Sequence, residues 1–263
     1  MALYVPPRPQ LILPSGTADC YLQGESASVL RLVPWGGNQI MIAGVRYTIP
    51  AAGVVLAPNA GWASIPILYA VAYWTGSAVG LSVVDPAVNP LVFDAFGMAS
   101  PQGRPDLTIV GAFTQNGTNG FYLAAQYAGC VSYWNRRQRK LTANLSANSV
   151  NRGMAEIATT LRLSALAFPD SHLHFDYTGT VYVDTATVSV VTQVYYNFNG
   201  GALNPVSPAA NFATFIAYST AQYGLHFDIG PAGQPANMTT YLYGYTNAGT
   251  ATWSVDLNCH FEG

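Results

Sequence analysis

The segment Val181-Tyr-Val-Asp-Thr-Ala-Thr-Val-Ser-Val-Val-Thr-Gln-Val-Tyr-Tyr196 is almost entirely β-branched, aromatic or small, and it alternates over much of its length. Branching at Cβ crowds a helix, whereas the pleated surface of a strand accommodates it. The run therefore reads as one strand. Residues 238–245 and 250–257 read as two more, and Asn247-Ala-Gly249 between them is short enough for a hairpin. Upstream, residues 28–33, 39–47, 67–74, 78–84 and 107–113 predict strands separated by Gly, Pro and Asn clusters. Residues 154–165 alone have a composition tolerable in a helix, and their Ala-Thr-Thr-Leu-Arg-Leu portion suits a strand equally. Many short strands at this spacing predict an all-β chain built from jelly-roll-like β-sandwiches.

Charge constrains what such a surface can do. From residue 163 to residue 263 there is no lysine or arginine, and all ten basic residues lie at or before Arg162. Charged residues make up 8% of the chain, against roughly 25% in a typical soluble domain. A surface this poor in charge avoids precipitation when other protein covers much of it, or when Tyr, Asn and Thr carry its hydration. The composition points to a part of an assembly and away from a freely diffusing enzyme. A net charge of −2 gives no global attraction to nucleic acid.

Half of the positive charge falls between Arg136 and Arg152, around a Ser/Asn-rich segment. This places a boundary between two β domains, 16–140 and 150–263. Residues 1–15 hold Pro6, Pro7, Pro9 and Pro14 and lack an apolar stretch of signal-peptide length, so an extended arm is expected there. The most apolar run, residues 63–84, is broken by Pro66, Gly76 and Gly80 and carries its aromatics in its middle. It predicts a buried hairpin turning at Thr75-Gly76-Ser77, without membrane insertion. Cys20, Cys130 and Cys259 have no metal-site or disulfide-framework spacing and are expected as reduced, buried thiols. No cofactor is expected.

In the first half, Tyr69-Ala-Val-Ala-Tyr73-Trp74 leads through Thr-Gly76-Ser into a second strand ending near Val83. Leu107-Thr-Ile-Val-Gly111-Ala-Phe113 and a Gly/Thr/Asn turn follow, and then Tyr133-Trp134-Asn135-Arg136-Arg137-Gln-Arg139. This order of pieces, over roughly residues 10–140, resembles tailed-phage virion appendage proteins, the head or tail fibre and spike subunits. Acidic residues usual in that family between the turn and the aromatic-Asn-Arg segment are missing here. The resemblance implies a virion protein assembled in the host cytoplasm, a homotrimer contacting other virion proteins.

His174-Phe175-Asp176, His226-Phe227-Asp228 and His260-Phe261-Glu262 repeat one tripeptide, and His172 adds another imidazole. On a strand, residues i and i+2 share a face, so each His stands beside its carboxylate while the Phe faces the core. Imidazole plus carboxylate is a metal-ligand set, but ordinary hydrogen-bonded pairs account for the pattern as well and are favoured here. The basic run Arg136, Arg137, Arg139 and Lys140, with Asn135, reads as an inter-domain or inter-subunit assembly contact in preference to a phosphate site. Tyr195, Tyr196, Tyr241, Tyr243 and Tyr245 offer flat plates with hydroxyls, suited to glycan stacking or to a wet protein interface. Core or trimer packing explains the same stripe.

No nucleophile elbow, P-loop or zincin motif is present, and no spacing among Asp94, Asp106, Asp176, Asp184 and Asp228 selects a catalytic pair. The reading is a non-enzymatic structural subunit of a bacteriophage-like particle, with host-surface polysaccharide as the expected distal contact. A lectin-like receptor-binding module is the alternative, and a polysaccharide depolymerase is a third.

Overall fold

The structure, a computed structural model, describes residues 18–62, 65–94, 97–116, 120–124, 127–169, 171–184, 188–206, 210–215, 219–231 and 234–262. The arm expected over residues 1–15 lies outside the described residues. The chain is all-β. Its first part comprises β1 (Cys20–Ser26), β2 (Val29–Pro34), β3 (Gln39–Ile42), β4 (Val45–Thr48), β5 (Val54–Leu56), β6 (Leu68–Trp74), β7 (Val79–Val84), β8 (Leu91–Phe93), β9 (Ala99–Pro101), β10 (Thr108–Phe113), β11 (Gln115–Asn116), β12 (Gly120–Phe121), β13 (Leu123–Ala124), β14 (Tyr127–Ala128) and β15 (Cys130–Ser132). A four-stranded sheet runs in the order β15-β10-β6-β7, and a three-stranded sheet in the order β1-β2-β5. The two are tied where the Leu22 N–H donates to Ser132 Oγ (3.0 Å). The hairpin expected in the most apolar run forms as β6 and β7. Trp74 pairs with Val79, and the Thr75 N–H donates to the Ala78 carbonyl (3.0 Å).

The remaining strands are β16 (Gln138–Glu156), β17 (Leu163–Ala167), β18 (Leu173–Val183), β19 (Val188–Phe198), β20 (Asn204–Pro205), β21 (Ala210–Phe215), β22 (Ser219–Ile229) and β23 (Ala236–Glu262). Two expectations about elements need correction, the hairpin at residues 247–249 and the single strand over residues 181–196. The hairpin at residues 247–249 does not form, because residues 236–262 make one 27-residue strand. Its partner β16 changes register there, with Asn151 opposite Thr250 and Gly153 opposite Thr246. Gly249 takes a φ of 64° in the extra residues. The result is a bulged bend where a reversal was expected.

Even-numbered residues from Met238 to Thr246 are buried, and odd-numbered ones from Ala251 to Phe261. That change of phase across the bend lets both halves of β23 supply one interior.

The single strand expected over residues 181–196 is two, β18 and β19. The Asp184 carboxylate accepts the Thr250 N–H (3.0 Å) just past the end of β18. The Ser/Asn-rich boundary segment is strand β16, with Leu141, Ala143 and Val150 buried between outward polar residues. Residues 154–165 form no α-helix. They hold the end of β16, a 3₁₀ turn at Thr159–Leu161 and the start of β17.

The N-terminal half of β23 pairs with β17 on one side and β19 on the other, and its C-terminal half pairs with β16 and β18. Strand β22 continues that second half beyond β18. The two halves face each other as a sandwich. Tyr177 Oη donates to Thr240 Oγ1 (2.8 Å) and Trp253 Nε1 to Thr192 Oγ1 (2.9 Å), so both large polar aromatics satisfy their hydrogen-bonding groups inside the core. A separate cluster gathers buried residues between Ala18 and Trp134. Strand β17 serves both clusters: Leu166 joins the first, Leu163 and Ala165 the second. All three cysteines are buried and free, and burial pushes the Cys20 and Cys130 thiols up to about 12.

Candidate functional site

Because even-numbered residues of the N-terminal half of β23 take the core, Tyr241, Tyr243 and Tyr245 face outward, each half-buried. Strand β19 sets Tyr195 opposite Tyr241 and Gln193 opposite Tyr243. The Tyr195 and Tyr243 rings meet edge-on with centroids 4.9 Å apart. Tyr196 does not share this face; it packs on the second core and meets Phe198 edge-on at 5.5 Å. On the other flank, Met154 lies opposite Tyr245 and Glu156 opposite Tyr243. Arg162 stacks over Tyr241 at 4.9 Å. It also donates twice to Glu156, from Nε to Oε1 at 2.7 Å and from Nη2 to Oε2 at 2.6 Å. Hydrogen bonding to Glu156 holds the guanidinium pKa above its ordinary value.

Past Tyr241 the surface dips into a cleft of about 300 Å³. Parallel pairing places Tyr127 of β14 beside Ser164 of β17, which lies opposite Thr239 of β23. These three make a cross-strand row along the cleft, and Tyr122, Arg162, Asn237 and Tyr241 line it with Pro66, Thr114, Gln115 and Gly129. Sequence reasoning missed Tyr122, Tyr127 and Arg162 as site residues. Arg162 carried one usable signal, being the last base before the base-free stretch.

The repeated tripeptides assemble on the opposite sheet half. Antiparallel register sets His174 opposite Asp228 and Asp176 opposite His226. His174 Nδ1 lies 2.6 Å from Asp228 Oδ1, His226 Nδ1 2.6 Å from Asp176 Oδ1, and His174 Nε2 3.2 Å from Asp176 Oδ1. The result is an exposed ladder, Asp228–His174–Asp176–His226. Phe175 is buried beneath it and stacks on the half-buried Phe227 at 5.1 Å. The third copy is offset: His260 lies opposite His174 and Phe261 opposite Leu173. Glu262 pairs through its backbone with Gln138, and the exposed His172 sits just before β18. The hydrogen bond to Asp228 raises the His174 pKa, partial burial works against it, and the neighbouring carboxylate charges add to the rise. Asp176 is pushed up by burial but pulled further down by the His226 hydrogen bond and the two imidazoles, ending below its ordinary value. Among the described residues no three His, Cys, Asp or Glu side chains are placed to hold a metal ion.

The basic run engages this same chain. Asn135 Nδ2 donates to the Ala18 and Cys20 carbonyls (3.0 and 2.9 Å). Arg136 lies over Phe168 at 5.0 Å and donates to Ser171 Oγ at 2.7 Å. Arg137 stacks on Trp35 at 3.6 Å and on Tyr21 at 4.6 Å. Arg139 donates to the Cys130 carbonyl at 2.7 Å, and Lys140 is exposed opposite His260. Stacked and hydrogen-bonded in this way, the arginines fasten β1, β15 and the segment after β17 to one another.

No protein-family model and no curated protein sequence matches this chain. Among solved structures it is similar to the infectious bursal disease virus VP2 subviral particle protein, at 13% identity and a TM-score of 0.35, covering 92% of this chain and 70% of that one. It is also similar to a chain in the structure of the Gt strain of infectious bursal disease virus, at 12% and 0.35, covering 74% and 52%. A third is the insecticidal delta-endotoxin Cry8Ea1 from Bacillus thuringiensis, at 9% and 0.28, covering 93% and 51%. The chain spans about half the length of the Gt-strain chain it matches.

Proposed function

We propose that this chain is a non-enzymatic structural subunit of a virus-like particle, whose outer sheet faces are covered by further copies. The carrying observation is the chemistry of those faces. On the half formed by β16, β23, β18 and β22, outward positions include Thr142, Asn144, Ser149, Thr252, Ser254, Asn258, Thr178 and Thr180. On the other half, the outward tyrosines stand in a patch whose charges, Glu156 and Arg162, neutralise each other. The first face also carries the Asp228–His174–Asp176–His226 ladder, Asp256 and Lys140. Its Thr, Ser and Asn groups nonetheless hydrogen-bond in every direction, which suits a protein–protein interface rich in bridging water. Strand β22 pairs only with β18 among the described strands, leaving an edge for a neighbour to extend.

The resemblance of residues 10–140 to tailed-phage appendage subunits supports the finer reading, a homotrimeric fibre or spike component. Each subunit is then expected to bury more than about 1,000 Å² against its neighbours. Sedimentation velocity with light scattering on the purified chain tests this. A trimer that persists at micromolar concentration is the expected result, and a monomer throughout would end the trimer reading.

A further inference from the structure

The cleft beside Tyr241 is built unlike the flat faces around it. Its row Tyr127–Ser164–Thr239 is drawn from three strands, and Ser164 is buried. The Ser164 and Thr239 hydroxyls lie 2.7 Å apart, so one donates to the other and one O–H is left to face a ligand. Tyr122 stands 41% exposed against Tyr127, with ring centroids 5.0 Å apart and planes tilted by 55°. An aromatic plate beside a polar floor suits a ligand with an apolar face and polar edges.

Charge narrows the ligand. Among the described residues the cleft is lined by a single cation, Arg162, already engaged twice by Glu156. A phosphate, sulfate or carboxylate entering here finds no unspent positive charge. A stacked nucleobase would bring a phosphate backbone that nothing neutralises. A pyranose ring without charge meets what is present: its C–H face covers a tyrosine, and its hydroxyls meet Ser164, Thr239, Asn237 and the edge of the guanidinium. The volume of about 300 Å³ stands at the lower end of small-molecule sites, roughly 300–1,000 Å³. We propose that this cleft binds a neutral hexose or N-acetylhexosamine unit of an oligosaccharide, with Tyr122 and Tyr127 as the stacking plates. The site goes beyond the assembly role and does not depend on it.

The test applies the full chain to an array of neutral oligosaccharides of glucose, galactose, mannose and N-acetylglucosamine, beside sialylated and uronate-bearing glycans and single-stranded RNA. The strongest neutral binder is then titrated by saturation-transfer NMR against Tyr122→Ala, Tyr127→Ala and Tyr245→Ala. Tyr245 lies on the same outer face but does not line the cleft. Tyr122 is exposed enough that its variant should fold even if the Tyr127 variant does not, and thermal melts check each. Neutral-glycan binding that weakens about tenfold or more in Tyr122→Ala, and is unchanged in Tyr245→Ala, is the expected result. The proposal is overturned if no neutral glycan binds, if only acidic glycans or RNA bind, or if Tyr122→Ala binds as the unaltered chain does.

Discussion

Replacing Gly244 by alanine probes the sandwich interior where its backbone packs directly on the Trp253 ring. A Cβ at this position would lie 2.6 Å from Trp253 Cζ2, 2.7 Å from Cη2 and 3.0 Å from Cε2. The indole is rigid and fully buried, and its Nε1 donates to the buried Thr192 hydroxyl at 2.9 Å. Ordinary carbon contacts begin near 3.5 Å, so the ring must move by roughly 1 Å. Overpacking of this kind costs roughly 1–3 kcal/mol. If the shift breaks the hydrogen bond, a stranded buried hydroxyl adds roughly 1–3 kcal/mol. For a chain of this size each kcal/mol lowers the melting temperature by about 2–4 °C, so a fall of roughly 2–12 °C is expected from overpacking alone, and up to about 24 °C if the hydrogen bond is also lost. Gly224→Ala is the control, since its Cβ meets only the exposed His226 ring, at 3.3 Å. Thermal melts followed by tryptophan fluorescence and circular dichroism provide the comparison. Pairing Gly244→Ala with Trp253→Phe should recover part of the loss, because the smaller ring vacates the contact. A Gly244→Ala melting temperature within about 1 °C of the unaltered chain would refute this packing.

Tyr177→Phe removes the donor to Thr240 within the same core and should cost about 1–3 kcal/mol in urea unfolding; a change near zero would mean that the hydrogen bond does not form. Arg137→Ala should lower the melting temperature and alter Trp35 emission, its two ring contacts being worth about 0.5–1 kcal/mol each; unaltered emission would contradict the stacking. The ladder should be pH-dependent. With its pKa raised, His174 contributes stability fully present below its ordinary 6.5 and lost as pH rises through the folded value. With its pKa lowered, Asp176 contributes stability present above 3.8 and lost as pH falls through the folded value. Asp176→Asn should therefore destabilise the chain most between about pH 4 and 6.5, and a deficit that does not shrink toward pH 8 would contradict the assignment.

Strand chemistry was legible wherever one face is buried. The β6–β7 hairpin follows from its apolar run and its turn, and the His-Phe-Asp facing follows from period two alone. Continuity was not legible. Val181 to Tyr196 keeps its β-branched character straight through Asp184, where the chain passes from one sheet half to the other. Asn247-Ala-Gly249 has hairpin chemistry, yet β16 alongside holds both flanks in one bent strand. A local pattern reports which face is buried, and only partners far along the chain decide whether a strand turns, bends or continues. The cleft stayed hidden for the same reason, because Tyr127 and Ser164 are brought together by a parallel pairing that neither segment announces.

Most direct for the central claim is a cryo-electron-microscopy reconstruction of the particle proposed to contain this chain. Tyr241, Tyr243 and Tyr245, or the Thr/Asn face of β16, β23, β18 and β22, are expected to lie against neighbouring subunits, with more than about 1,000 Å² buried per subunit. A reconstruction with both faces open to solvent, or a chain that enters no particle and stays monomeric, would contradict it.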